Sequence, residues 1–120
     1  MPDVSLRERL RTALPVAMKA RDRTAVSVLR STLSAIDNAE AVDRPAGVDR
    51  GLAIEQSAAG AGAMEVARRD LSESDVERIV RAEIAERESA ADGYDRSGQA
   101  DRAEQLRAEA AMLANLMSKT

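Results

Sequence analysis

The sequence predicts an all-α protein, an antiparallel bundle of four main helices arranged as two helical hairpins. Alanine supplies 24 of the 120 residues, Leu, Val, Ile and Met together supply 28, and Tyr94 is the single aromatic residue. Alanine, leucine and methionine favour helices, whereas strands favour β-branched and aromatic residues. Apolar residues also recur at helical spacing in four separate stretches. The length is that of one domain.

The first helix is predicted over about residues 5–20. Ser5 is a favourable N-cap, and Glu8 stands at the position that completes a capping box. Pro15 lacks the N–H that would bond the carbonyl of Arg11, so we expect a kink or an early break. One face carries the apolar residues Leu6, Leu10, Ala13, Leu14 and Ala17.

The second helix is predicted over about residues 22–41, with Asp22 as its N-cap. Its link to the first helix is only a few residues long, which predicts an antiparallel hairpin. Its apolar stripe steps by three, four and three residues, a spacing similar to that of a coiled coil. The stripe consists of Val26, Leu29, Leu33 and Ile36, and Val28, Ala35 and Ala39 widen it.

The helical pattern stops between the two hairpins, over residues 42–71. Four of the six glycines lie here, and the segment is longer than a structureless loop inside a compact domain usually is. Either residues 51–59 form a short helical turn or the connection is flexible. The sequence GAG at 60–62 does not indicate a phosphate-binding loop, because no strand precedes it and no Lys-Ser/Thr pair follows.

The third and fourth helices are predicted over about residues 73–94 and 100–117. Ser72 and Asp75 form a capping box, and Leu71 and Val76 stand at the positions of a hydrophobic staple. Gly98 lies in the turn between the two helices. The apolar face of the third helix consists of Val76, Ile79, Val80 and Ile84, and the heptad-like seam of the fourth consists of Ala103, Leu106, Ala110, Leu113 and Met117.

Charge is distributed unevenly along a chain whose net charge is −3. Residues 5–36 carry a net charge of +5, and residues 72–104 carry −5. The positive segment could face phosphates, whose contacts dominate nucleic-acid affinity. It could also face the negative segment within the bundle, and we prefer this second interpretation.

The composition excludes several classes of chemistry. The sequence has no cysteine and no histidine, so thiol nucleophiles, disulfides, iron–sulfur clusters and the commonest zinc ligands are excluded. No apolar run is long enough to span a bilayer and no signal peptide follows Met1, so we expect a cytoplasmic protein without membrane contact. We also expect no cofactor and no metal site.

Paired carboxylates one helical turn apart are the nearest approach to a metal site. They are Glu83 with Glu86, and Asp92 with Asp95. A di-carboxylate centre in a helical bundle usually includes a Glu-x-x-His motif, which this chain lacks. We therefore interpret these carboxylates as a solvated helix face.

Polar residues of the first two helices are the candidate contact residues. Arg30 and Asn38 flank the apolar stripe, eight residues apart and roughly on one face, and a hydrogen-bonded structural role is the simpler interpretation. The segment has no aromatic platform for unstacked bases, so a duplex or a tRNA backbone is the nucleic acid it could contact. The residues that we predict to contact tRNA or a protein partner are Lys19, Arg21, Arg23, Arg30 and Asn38.

Three segments carry a resemblance to a known family: MKARD at 18–22, VLRSTLSAIDNAE at 28–40, and EIAERESAADGYDRSGQADRAEQLRAEAAML at 83–113. In these segments, and in the helix start at 71–80, the chain resembles the GatB/YqeY family. These small proteins are similar to the C-terminal region of the B subunit of glutamine-dependent tRNA amidotransferase. The resemblance covers most of the chain outside residues 42–70.

The chain departs from the family pattern in three places. Asp37 stands where the family usually has lysine, and the glycine-rich segment 44–70 is longer than the usual link. The sequence also ends where typical members continue into a second, smaller helical domain, the part associated with tRNA contact in the amidotransferase relatives. We therefore expect residues 1–120 to form the N-terminal family domain without the second, C-terminal one.

The resemblance implies a carbon–nitrogen ligase activity with glutamine as amido donor. That chemistry needs a nucleophile with its base, an oxyanion site and a nucleotide–Mg²⁺ site, and the sequence shows none of these constellations. We therefore expect a module that is not catalytic alone and that serves tRNA-dependent amidotransfer by binding an amidotransferase subunit, another protein partner or tRNA. The alternative is a helical protein-interaction or self-associating domain with no tRNA role, as the heptad seam of the last helix suggests.

Overall fold

The computed structural model describes residues 4–42 and 71–118, and within these ranges it contains four helices and no strand. Helix α1 spans Leu6–Lys19, α2 spans Arg23–Val42, α3 spans Glu73–Arg96 and α4 spans Ala100–Ser118. The all-α prediction is confirmed, and each helix boundary lies within two residues of the predicted one. The short helical turn predicted at 51–59 lies outside the described residues. In the described ranges, no helix has the length and apolar character needed to cross a membrane.

The starts of α1 and α3 are held by side-chain caps. The Oγ atom of Ser5 accepts a hydrogen bond from the Glu8 N–H at 3.1 Å. The Leu6 N–H, which has no acceptor within its own helix, donates to Oε2 of Glu73 at 2.9 Å. This second bond joins the first residues of α1 and α3, so the two hairpins are connected where both begin.

The predicted capping box at the start of α3 is confirmed. The Ser72 Oγ accepts from the Asp75 N–H at 3.1 Å, and the Ser72 N–H donates to the Asp75 carboxylate at 3.1 Å. Leu71 is half-buried and packs against the same apolar cluster as Val76, as the predicted hydrophobic staple requires.

Pro15 lies inside α1, and the helix continues past it to Lys19. The early break that we considered at this proline is therefore wrong. Pro15 and Arg11 are both exposed, so water can hydrogen-bond the Arg11 carbonyl that the missing N–H leaves without a partner.

Helix α1 ends in a Schellman motif that also starts α2. The Arg21 N–H donates to the Met18 carbonyl at 3.1 Å, and the Asp22 N–H donates to the Ala17 carbonyl at 3.0 Å. This pair of bonds requires a left-handed residue after the C-cap, and Arg21 takes that place with φ 58°. Asp22 then caps α2 as predicted, because its Oδ1 accepts the Ala25 N–H at 3.1 Å.

The turn between α3 and α4 repeats the same motif with glycine. The Gly98 N–H donates to the Asp95 carbonyl at 3.1 Å, and the Gln99 N–H donates to the Tyr94 carbonyl at 2.8 Å. Gly98 has φ 81° and is the counterpart of Arg21. Glycine adopts this conformation without the steric penalty that a Cβ atom brings, whereas arginine bears it.

All four helices contribute to the main apolar cluster. Each large side chain that is fully buried there stabilises the fold by about 1.5–3 kcal/mol. The predicted apolar faces of the first three helices are confirmed in it, with Ala25 added, and the predicted seam of α4 contributes Leu113 to its buried members. The buried members are Leu6, Leu10, Ala17, Ala25, Val28, Leu29, Ile36, Val76, Val80 and Leu113.

A second, smaller cluster lies within the α3–α4 hairpin alone. It consists of Ala91, Ala103 and Leu106, with Tyr94 packed against it. No residue of α1 or α2 belongs to this cluster. Because two of its three buried members are alanines, the helices can approach closely there, but little apolar surface is available to bury.

A polar network separates the two clusters and joins three helices. On α3, the Arg87 guanidinium donates to the carboxylates of Glu109 at 3.1 Å and Glu83 at 2.9 Å, and to the Ser31 hydroxyl at 2.9 Å. Ser31 belongs to α2 and Glu109 to α4. The side chains of Arg87 and Glu109 are only 13% and 14% exposed, so water screens their attraction weakly.

We predict that Arg87→Ala lowers the free energy of unfolding by about 2–4 kcal/mol, because it leaves two mostly buried carboxylates without their cation. Urea denaturation followed by circular dichroism measures the change. Arg81→Ala is the matched control, since Arg81 is exposed and reaches Glu77 only at 3.9 Å. The control is expected to change stability by less than about 0.5 kcal/mol. Equal losses in both variants would contradict the assignment.

We predict that Gly98→Ala destabilises the protein by about 1 kcal/mol. A Cβ atom at this position meets no atom within 4 Å, so the loss comes from the positive φ and not from a clash. The same denaturation experiment measures it. An unchanged denaturation midpoint would show that alanine adopts the left-handed conformation at this turn without strain.

Candidate interaction surface on the first hairpin

The structure brings together three of the predicted contact residues at the α1–α2 turn. Lys19 is the last residue of α1, Arg21 lies in the turn, and Arg23 is the first residue of α2. All three side chains belong to exposed residues. We call Lys19, Arg21 and Arg23 the turn cations.

Arg30 extends this positive surface along α2, and Asn38 does not. Arg30 follows Arg23 by seven residues, which places it about 10 Å along the helix and on nearly the same side. Asn38 lies about 12 Å farther and is rotated by about 80° from Arg30, so the prediction that the two share a face is wrong. Both are exposed. Neither side chain makes a hydrogen bond in the described part of the chain, so their interpretation as structural hydrogen-bonding residues is also wrong.

The side chains of the turn cations and of Arg30 form no ion pair or hydrogen bond within the described ranges. Arg7, on the same hairpin, is different. Its guanidinium donates to both carboxylate oxygens of Glu40, at 2.8 and 2.9 Å, and to Asp37 at 2.8 Å. These hydrogen bonds, above all the one to Glu40, raise the pKa of Arg7 above its ordinary value. Ion pairs therefore neutralise Arg7, whereas the turn cations, with Asp22 between two of them, form no ion pair in the described ranges.

Ion pairs in the described residues form within each hairpin and not between the hairpins. The two acids that neutralise Arg7 belong to α2, and the acids of α3 and α4 pair with arginines of those helices. In the preferred interpretation the +5 and −5 segments face each other. It is wrong in that no ion pair among the described residues joins the two segments. The hairpins are joined instead by apolar packing and by hydrogen bonds that include Leu6–Glu73, Arg87–Ser31 and Arg9 to the Met117 carbonyl.

The paired carboxylates of α3 bind arginines. Asp92 and Asp95 both accept from Arg107 of α4, at 2.9 and 2.7 Å, and hydrogen bonding, first to Asp95 and then to Asp92, raises the pKa of Arg107. Glu83 binds Arg87. Asp92 and Asp95 remain exposed, as the solvated-face interpretation expects, and that interpretation is wrong only for Glu83, whose side chain is 20% exposed. Within residues 4–42 and 71–118, no three acidic side chains are grouped as a metal site would require.

Comparison with protein-family models, with curated proteins and with solved structures finds no match to this chain. The resemblance to the GatB/YqeY family therefore stays a prediction from the three sequence segments. The candidate surface is defined by its own geometry and charge.

Sequence reasoning missed two exposed apolar side chains next to the turn cations. Val16 is 66% exposed and Met18 is 49% exposed, among the largest exposures of apolar residues in the described structure. A helical projection could have found them. Both lie about 100° from the stripe that contains Leu10 and Ala17, on opposite sides of it. The end of the first hairpin thus combines unpaired cations with exposed apolar surface.

Proposed function

We propose that this chain is a non-catalytic accessory module of tRNA-dependent amidotransfer, and that it contacts the tRNA backbone through the turn cations and Arg30. The observation that carries the proposal is that the turn cations and Arg30 are exposed and have no ionic partner in the described structure. The resemblance to the GatB/YqeY family supplies the biological setting. A carbon–nitrogen ligase activity would belong to the assembly that the module serves.

Phosphate contacts suit this surface better than base contacts do. Each cation that neutralises a phosphate releases condensed counterions, which favours binding and makes it sensitive to salt. Recognition of unstacked bases needs aromatic side chains. Tyr94 is the single aromatic residue of the sequence, and it packs against the small cluster of the second hairpin. The surface is therefore suited to a folded RNA whose phosphates are displayed on its outside.

The test is fluorescence anisotropy of bulk tRNA titrated with the purified chain across a series of salt concentrations. We expect micromolar binding at low salt that weakens steeply as salt increases. In the double variant Arg23→Ala, Arg30→Ala, the slope of log affinity against log salt should decrease by about 2, because each lost phosphate contact removes about one unit.

The matched control is Arg81→Ala, Arg96→Ala, which removes two exposed arginines from α3 and changes the net charge equally. It should bind tRNA nearly as the unmodified chain does. If both double variants lost affinity to the same extent, net charge and not this surface would drive binding. An unmodified chain that does not bind tRNA at low salt would refute the proposal.

A second candidate function is that of a protein-interaction domain, and the exposure of Val16 and Met18 favours it. The heptad seam of α4 does not favour this second function. Its residues Ala103, Leu106, Ala110 and Leu113 are all buried within the bundle, so they are not available to a second copy of the chain. Val16 and Met18 lie on opposite sides of α1, so each is a separate exposed apolar side chain near the turn cations that a protein partner could cover.

Sedimentation equilibrium at high protein concentration separates the two candidates. We expect a monomer, because the exposed apolar surface is small compared with the area that a stable dimer buries. A dimer that dissociates in the double variant Val16→Ser, Met18→Ser would instead support self-association through one of these side chains. The double variant replaces only exposed residues, so it should keep the helical circular dichroism spectrum of the unmodified chain.

A further inference from the structure

The two hairpin turns have the same hydrogen-bonding pattern and different residues at the position that requires a positive φ. Gly98 occupies it in the α3–α4 turn, and Arg21 occupies it in the α1–α2 turn. Each turn is three residues long, and each closes with the same pair of backbone bonds. The fold therefore does not need an arginine at this position, because a glycine forms the same turn elsewhere in the same chain.

Arg21 adds strain and makes no compensating contact. It has the one positive φ among the non-glycine residues of the described structure, and that conformation brings its Cβ atom too close to the carbonyl oxygen. Its side chain is exposed and makes no hydrogen bond, ion pair or ring contact with the residues that the structure describes. The turn requires a left-handed residue here but not an arginine, and non-glycine residues held in such conformations are concentrated at functional sites.

The position of Arg21 is central to the positive surface. It lies between Lys19 and Arg23 at the tip of the hairpin, where the chain reverses direction. A guanidinium at this point presents forked N–H donors that match the two non-bridging oxygens of a phosphate. A glycine there would relieve the strain and leave a gap in the charge between the two neighbouring cations.

We propose that Arg21 is the central phosphate-contacting residue of this surface, kept in a strained conformation because a phosphodiester of the bound RNA backbone is its partner. The inference rests on the proposed function. It states that Arg21 lowers the stability of the fold and strengthens the binding of RNA. It predicts that stability and affinity respond to the same substitution in opposite directions.

The experiment compares Arg21→Gly with the unmodified chain by thermal unfolding and by tRNA anisotropy. Removing the strain should raise the melting temperature by about 3–6 °C. Losing the phosphate contact should weaken tRNA binding about fivefold at low salt and reduce the salt slope by about 1. Arg21→Lys should bind tRNA with an affinity between those of the unmodified chain and Arg21→Gly, because it keeps the charge and loses the fork. It should keep the lower melting temperature, because it preserves the strained Cβ atom.

Gly98→Ala is the matched control at the other turn. It should lower the melting temperature and leave tRNA affinity unchanged, since it introduces the same strain away from the positive surface. Poly-glutamate is the second ligand. The substitution Arg21→Gly should weaken the binding of poly-glutamate less than it weakens the binding of tRNA, because the carboxylates of poly-glutamate occupy no defined position at the turn.

The outcomes distinguish this inference from the proposed function. If the unmodified chain binds tRNA and Arg21→Gly binds equally well, the inference is wrong and the proposed function stands. A melting temperature that does not increase in Arg21→Gly would also overturn the inference, because the strain would then be absent. Equal losses for tRNA and poly-glutamate would indicate a carboxylate-rich protein as the partner, and absence of tRNA binding by the unmodified chain would overturn both.

Discussion

The contact of Arg87 with Glu109, Glu83 and Ser31 is the constraint on which the arrangement of the helices depends. A buried guanidinium must be paired, because an isolated charge in an apolar interior is strongly destabilising. Here its partners lie on three different helices, so the register of α2, α3 and α4 is fixed at one point. Apolar packing alone would allow the helices to slide by small steps, whereas the direction and length of these hydrogen bonds would not.

The same network explains why the protein has two apolar clusters of unequal size. On one side of it, large side chains from all four helices form the main cluster. On the other side, the α3–α4 hairpin continues alone and is closed by small residues, by the bonds of Arg107 and by Arg102, whose guanidinium lies 5.8 Å from the centre of the Tyr94 ring. The second hairpin is therefore an arm that extends beyond the first.

Local signals predicted the helices well, and long-range contacts could not be predicted. Capping residues such as Ser72 and Asp22 act within three positions, so their effect is visible in the sequence. The seam of α4 was found for the same reason, because it repeats at fixed spacing. The partners of Arg7 lie 30 and 33 residues away, and no local pattern announces them. Thr32 is another residue whose environment no local pattern predicts, since it is fully buried and its hydroxyl has no partner among the described residues.

The candidate site shows the same division. The sequence supplied the cations, and the structure places three of them at one turn, with Arg30 seven residues along α2 from Arg23. Only the backbone geometry distinguishes Arg21 from its neighbours, because a positive φ at a non-glycine residue leaves no trace in composition or periodicity. The exposure of Val16 likewise depends on which side of α1 the second hairpin covers.

Because the ion pairs among residues 4–42 and 71–118 close within each hairpin, the opposite charges of the two hairpins are not cancelled by contact. The folded chain therefore has an electric dipole, with an excess of positive charge on the first hairpin and of negative charge on the second. A polyanion in solution attracts one half of such a molecule and repels the other, and the resulting torque acts at distances up to about a Debye length. The molecule would turn its first hairpin toward the polyanion before the two surfaces touch, so its orientation would be selected during the approach.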